Sequence, residues 1–154
     1  ATIGELRRRD VPAALDRLGG VLRDKYNRLA SDLAMTFTRC VGYGCRTLVA
    51  FDSQGLSQGD SADPLVMKSF VQQELLRRGI LWSGFHNLSA AHAPSDVDCL
   101  LAAYREILPE LRDGVLTGDL RNRLRGEPVE AIFRRTSQFN TKPVGAGGTD
   151  ARQR

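Results

Sequence analysis

ADPLVMKSFVQQELLRRGILWSGFHNLSAAHAPSDVD, residues 62–98, decides the fold, because it holds a helix with both ends marked, a short apolar run and the start of a second helix. Asp63 is a good N-cap, and Pro64 suits the first helical position, where a missing N–H is no loss. Leu65, Phe70, Leu75 and Leu76, with Val66 and Met67 beside them, recur at near-helical spacing and predict an apolar stripe. Arg77 and Arg78 complement the negative end of that helix, and Gly79 can take the left-handed conformation that stops it. Ile80, Leu81 and Trp82 follow at once and read as a strand. Ser95 is the expected cap of the second helix, with Asp98 where Glu or Gln usually completes a capping box. Between them, Ser83 to His92 is a polar link that carries both histidines of the chain.

Upstream, Ile3 to Arg9 reads as the last turns of a helix, and Asp10 can cap the next one. Val11, Leu15, Leu18, Leu22, Tyr26, Leu29 and Leu33 then line one face of a long amphipathic helix that runs to about Ala34. Gly19 and Gly20 inside it each lower helix stability by about 1 kcal/mol relative to Ala, which points to close packing against a neighbour. From Met35 to Val41 the pattern changes to alternation with β-branched and aromatic residues, Gly42-Tyr43-Gly44 breaks it, and Arg46 to Phe51 is a second strand. The pair fits a hairpin and equally one strand with a glycine bulge. Residues 52–61 are Gly, Ser and Asp in bulk, a surface loop.

Downstream, the second helix places Val97, Leu100, Leu101, Tyr104, Ile107 and Leu108 on one side, with Pro109 ending or kinking it. A short helix is expected across Gly118 to Leu124. In GEPVEAIFRR, residues 126–135, Val129, Ala131 and Phe133 alternate as in a short strand or an extended arm. Residues 137–154 have the composition of a flexible tail or linker. The fold class that follows is α+β: a small, mainly antiparallel sheet of three or four strands with helices on one face. Its parts are entering helices over 1–34, an α+β small domain over 35–136 and the tail.

A chain of 154 residues with a hydrophobic fraction of 42% can bury a real core as one domain. No apolar run approaches the roughly 20 residues of a membrane span, and no secretory signal is present. The sequence opens at Ala1 inside a charged helical pattern, as a piece of a longer protein would. Its net charge of +4 comes from 19 Arg and 3 Lys scattered among acidic residues. No basic run is interleaved with aromatics, so nucleic acid is disfavoured as a partner. Cys40, Cys45 and Cys99 are few and odd in number, which argues for a reducing cytoplasm, and their spacing offers no zinc site. Cys45 reads as small buried filler, although Arg46 beside it would favour a reactive thiolate.

With these segments in order, LLRRGILWSGFHNLSAAHAPSDVDCLLAAYREILPEL resembles the C-terminal small domain of the class III, pyridoxal-phosphate-dependent aminotransferases, most closely the glutamate-1-semialdehyde aminomutase-like branch. Relatives of that branch show a helix ending in Arg-Gly, then Leu-Ser-x-Ala-His and an acidic helix start, as Leu88 to Asp98 do here. GELRRRDVPAALDRLGGVLRD is similar to the helix pair leading into that domain, VGYGCRTLVAF to its Gly-x-Gly strand, and GEPVEAIFRR to an arm after the last helix. The resemblance covers about residues 1–136. It implies a parent aminotransferase or aminomutase, a homodimer in the cytoplasm, whose upstream large domain supplies the cofactor lysine, the aspartate for the pyridinium nitrogen and most phosphate contacts. None of Lys25, Lys68 and Lys142 matches the cofactor lysine. The chain is therefore expected to carry no catalytic, cofactor-binding or metal-binding residue of its own, and to be inactive alone, closing one side of the cleft.

The resemblance also indicates which residues face that cleft. Relatives acting on ornithine-type or acetylornithine-type substrates carry an Arg three residues before Pro-Pro-Leu, a bidentate carboxylate clamp. Phe85 takes that Arg position here, with Leu88-Ser89-Ala90 opposite Pro-Pro-Leu, so no clamp is implied at that point. The substrate-cleft candidates are Phe85, His86, Asn87 and Arg46, with Arg39 and Tyr43 on either the cleft or the outer surface. His92 is expected to anchor the turn before the helix. The reading from a different class is a free-standing basic module that uses Arg39, Arg46, Arg77 and Arg78 on phosphate-rich or nucleic-acid partners.

Overall fold

The computed structural model of the chain describes residues 2–56 and 62–130. Helix α1, Thr2–Arg8, is short and buries no residue, and α2, Val11–Asp32, follows it. The burial of Val11, Leu22, Tyr26 and Ala30 gives α2 the apolar face that the spacing predicts. Asp10 stands at its cap position with φ 46°, and its side chain makes no cap hydrogen bond. A left-handed residue does not set its carboxylate over the first turn as an extended cap residue does.

Strands β1, Thr38–Tyr43, and β2, Arg46–Phe51, form an antiparallel hairpin that turns at Gly44-Cys45. This settles the choice between hairpin and bulged strand. Met35 and Phe37, expected in the first strand, precede it and are buried in the core, while the chain reverses at Ala34 with φ 52°. Cys40 is buried, but Cys45, expected as buried filler, is exposed because it occupies the hairpin turn. Asn27 of α2 makes both hydrogen bonds of the Cys40 backbone, donating from Nδ2 to the carbonyl at 2.9 Å and accepting the N–H at Oδ1 at 2.7 Å. The outer edge of β1 is thereby closed by a side chain rather than by another strand.

Helix α3, Pro64–Arg77, starts as its sequence predicts, with the Asp63 carboxylate accepting the Leu65 N–H at 2.7 Å. Replacing Asp63 by Ala is expected to lower stability by about 1 kcal/mol, read as a shift of the urea midpoint at unchanged slope. The buried positions are Val66, Phe70 and Glu74 in one row and Met67, Val71 and Leu75 in the next, with Ser69 beside them. Leu76, expected in the stripe, is 60% exposed, one position off that face.

Gly79 takes φ 78°, with its N–H on the Leu76 carbonyl at 3.0 Å and the Ile80 N–H on the Leu75 carbonyl at 2.9 Å. That pair of bonds is a Schellman closure, and it folds Ile80 back onto the helix it leaves. Here the structure corrects the sequence: Ile80, Leu81 and Trp82 form no strand. Trp82 is buried, Leu81 is 89% exposed, and Gly84 at φ 107° redirects the chain. The third strand, β3, is Phe85–Asn87, inside the link expected to be a loop. It takes the free edge of β2, pairing antiparallel from Arg46↔Asn87 to Leu48↔Phe85, so no edge of β2 remains for the apolar run. The sheet has three strands in the order β1-β2-β3.

Helix α4, Pro94–Thr117, begins one residue before Ser95. Its N-cap is Ala93, and the carboxylate that reaches back to the Ala93 N–H, at 2.7 Å, belongs to Asp96 rather than Asp98. Pro109 lies inside α4 on its exposed side without ending it, and the helix stops at Gly118 with φ 76°. A single 3-10 turn, Leu120–Arg123, is what forms of the expected helix after it. Residues 124–130 are an arm without regular structure, tied to α3 by the Arg125 N–H on Gln73 Oε1 at 2.7 Å and the Val129 N–H on Ser69 Oγ at 2.8 Å. The rest of the expected arm and the tail lie outside the described residues.

The architecture is the predicted α+β one, a small antiparallel sheet with α2, α3 and α4 packed together on one face. The core between them joins Tyr26, Cys40, Val49, Phe70, Trp82, Tyr104, Ile107 and Leu111, so α2 shares one apolar interior with the sheet and α4. No helix among the described residues is long and apolar enough to cross a membrane.

Candidate functional site

Alternation along three short strands sorts the sheet's side chains into two faces. Thr38, Cys40, Thr47, Val49 and His86 point to the helices and are buried. Arg39, Val41, Tyr43, Arg46, Leu48, Phe85 and Asn87 are exposed on the opposite face. The register puts Val41, Leu48 and Phe85 directly opposite one another, an apolar band across all three strands. Arg39 stands on one side of that band, with Tyr43, Arg46 and Asn87 on the other. The Arg46 guanidinium lies 4.7 Å above the centre of the Phe85 ring, a cation–π stack that orients it without neutralising it. Among the described residues, neither Arg39 nor Arg46 has a carboxylate partner.

The sequence candidates separate accordingly. Phe85, Asn87 and Arg46 come together on the open face, and Arg39 and Tyr43 join them there. His86 points the other way, into the core. Its Nδ1 is 2.8 Å from Thr47 Oγ1 and its Nε2 is 2.7 Å from Tyr104 Oη. Burial pulls its pKa down to about 4, so the ring is neutral near pH 7. Behind it, Tyr104 meets Tyr26 edge to face at 4.9 Å, and the Tyr26 hydroxyl is 2.8 Å from Thr38 Oγ1. Burial pushes both phenols up. This buried chain of hydroxyls and imidazole ties all three strands to α2 and α4, and the sequence reading missed it. Its one signal is that Tyr26 and Tyr104 occupy positions of apolar stripes, where each hydroxyl needs a partner.

His92 anchors the turn before α4, as expected, accepting the Ser89 N–H at Nδ1 at 3.0 Å and donating its own N–H to the Ser89 carbonyl at 3.0 Å. Beside this turn a cleft of ≈ 390 Å³ is lined by Ile80, Trp82, Phe85, His86 and Leu100 among others.

Two of the four cations offered to a phosphate-rich partner are already engaged. Arg77 and Arg78 donate to the Glu74 carboxylate at 3.0 and 2.9 Å, and Arg78 also to Glu106 at 3.0 Å. Burial alone would push the Glu74 carboxyl up, but the hydrogen bonds from Gln73, Arg78 and Arg77 outweigh it and hold the group below its usual range. The pair is a support for the end of α3.

The described residues do not make a pyridoxal phosphate site. Such a site needs a lysine, a partner for the pyridinium nitrogen and a phosphate cradle that converge. Lys25 is paired with Asp98 at 3.5 Å on the surface, and Lys68 is packed along the Gly84 backbone with no carboxylate bound to it. Lys142 lies outside the described residues.

No family model and no curated protein matches the sequence. Solved structures match in fold. An omega-transaminase from Sphaerobacter thermophilus superposes with a TM-score of 0.53 at 20% identity, over 64% of this chain and 24% of the transaminase. A transaminase with PLP bound gives a TM-score of 0.56 at 20% identity, over 68% of this chain and 24% of that one. The chain thus spans about a quarter of either protein. Its three-stranded sheet backed by helices is similar in fold to a part of these transaminases.

Proposed function

We propose that the chain is the C-terminal small domain of a pyridoxal-phosphate-dependent aminotransferase or aminomutase of the glutamate-1-semialdehyde aminomutase-like kind, acting with an upstream domain that holds the cofactor. The observation that carries this is the bare sheet face. Val41, Leu48 and Phe85 form a continuous apolar band that no helix or further strand of the described residues covers, with Arg46 lying over Phe85, and the transaminases that share the fold extend far beyond the matched 24%. A continuous apolar face rimmed by polar groups is what an interface needs.

In this reading the face closes one side of the active-site cleft and excludes water from it. Phe85, Asn87 and Arg46 form the rim. Arg46, held over Phe85, offers its guanidinium to an anionic or polar group, and Asn87 offers a neutral donor and acceptor. The pyridoxal phosphate, which serves as the electron sink for amino transfer, belongs to the upstream domain. The parent is a cytoplasmic homodimer, in which the helices entering over 1–34 pack into the same core as the α+β domain over 35–136. Mixed with pyridoxal phosphate, the 154-residue chain alone is expected to show no absorbance of a lysine-bound cofactor and no turnover, with activity appearing when the upstream domain is added. A covalent lysine adduct and turnover by the chain alone would overturn the proposal.

A further inference from the structure

We propose that the edge of the sheet from Ile80 to Leu88 is an acid-released latch: His86 fastens strand β3 to the core, and its protonation frees that strand while the helices stay folded. The inference rests on the chain's own core and is independent of the function proposed above.

The near end of the segment is held by the buried Trp82 and by the Ile80 N–H on the Leu75 carbonyl at 2.9 Å, and the polar fastenings beyond that are few. β3 is three residues long and pairs with β2 alone. Residues 80–84 leading to it have no regular structure, and the flanking backbone ties are the Val49 N–H on the Gly84 carbonyl at 3.1 Å and the Leu88 N–H on the Cys45 carbonyl at 3.0 Å. The side chain that joins the strand to both β2 and α4 is His86, through Thr47 and Tyr104. A neutral imidazole has one donor and one acceptor nitrogen, and each hydroxyl supplies the complement. Adding a proton puts a charge among groups that do not balance it.

Those groups are identifiable on every side. Tyr104 on α4, Tyr26 on α2 and Cys40 on β1 are all pushed up by burial and stay uncharged in acid. Lys68 of α3 lies against Gly84, and Arg46 covers the outer side of Phe85, both positive. Asp96 and His92 line the neighbouring cleft, but the Asp96 carboxylate is bound to the Ala93 N–H. Among the described residues no carboxylate bonds to His86. The Trp82 indole N–H, beside the same cleft, has no hydrogen-bond partner among the described residues.

The direction follows from linkage. The closed form holds His86 at about 4, against the ordinary imidazole value of 6.5 that an opened, hydrated ring regains. Between those limits the open form takes up a proton that the closed form refuses, so the open-to-closed ratio rises about tenfold per pH unit of acidification, to about 300-fold in all. Above the upper limit the latch is fully fastened.

Trp82, the only tryptophan, lies 6.2 Å from the His86 ring and reports on the opening. The 154-residue chain is titrated from about pH 7.5 to about pH 3.5 while tryptophan emission and helical circular dichroism are followed. The expected result is a reversible emission shift in mid-titration with the helix signal unchanged, absent in His86→Gln. Tyr104→Phe keeps the histidine and removes one fastening, so it moves the midpoint upward by about half a pH unit or more. The latch is overturned by an emission change that coincides with helix loss, by no change at all, by a step that survives in His86→Gln, or by an unshifted midpoint in Tyr104→Phe. The last holds even where His86→Gln does not fold.

Discussion

Gly19→Leu is expected to destabilise the chain by about 3 kcal/mol or more, whereas Gly20→Ala, the next residue of the same helix, is expected to stabilise it by up to about 1 kcal/mol. The two glycines look alike in sequence and stand in different surroundings. A Cβ on Gly19 would run into the backbone carbonyl of Gly44 at the hairpin turn, and a Cβ on Gly44 would run into the backbone of Asp16. Helix α2 and the β1–β2 turn therefore meet backbone to backbone, and the Gly44 N–H reaches Asp16 Oδ1 at 3.3 Å. With no side chain on either surface to swing away, a larger residue must separate helix from hairpin. A Cβ on Gly20 meets nothing within 4 Å, so alanine there brings only its better helix propensity. Denaturant midpoints of the two variants, compared at equal slopes, decide the matter.

His86→Leu is expected to cost about 2–5 kcal/mol near pH 7. The leucine fills much of the space but leaves Thr47 Oγ1 and Tyr104 Oη, on residues with no solvent exposure, each without its imidazole partner. An unmet buried hydroxyl costs more than the hydrogen bond contributed, because its desolvation is no longer offset. Adding Thr47→Val and Tyr104→Phe to the same chain removes the stranded groups and is expected to recover most of the loss. If His86→Leu alone proves neutral by chemical denaturation, the relay is not a stabilising network.

Much of this architecture is legible in the sequence, and where it is not, the causes are local. Asp63, Pro64 and Gly79 mark the ends of α3 because capping is a short-range matter between a side chain and the nearest turn. The face of α2 from Val11 to Leu33 is legible for the same reason as any amphipathic helix: its period is fixed by backbone geometry. The place of β3 is not legible, because Ile80-Leu81-Trp82 has the better strand composition. Only the Schellman closure at Gly79 and the turn at Gly84, tertiary in their effect, hand the sheet edge to Phe85–Asn87. The same shift decides the candidate site. Once residue 86 is a strand position, its neighbours on either side share a face and it takes the other. Phe85 and Asn87 then stay with Arg46, and His86 enters the core. Glu74 shows the converse. It reads as a polar interruption of the α3 stripe, yet Arg77 and Arg78 at helical spacing make its burial tolerable.

The bare face of the sheet carries the proposed function, and binding to the upstream domain of the proposed parent tests it most directly. That part, produced separately, is titrated with the 154-residue chain and with its Leu48→Asp variant, after circular dichroism has shown both to be folded. Leu48 lies at the centre of the Val41–Leu48–Phe85 band, where a carboxylate would lose its water on burial in an apolar interface. Such a burial costs about 3 kcal/mol, so the account predicts that the wild-type chain binds and that the variant binds about 100-fold more weakly. Equal binding by the two, or no binding by the folded wild-type chain, would contradict it.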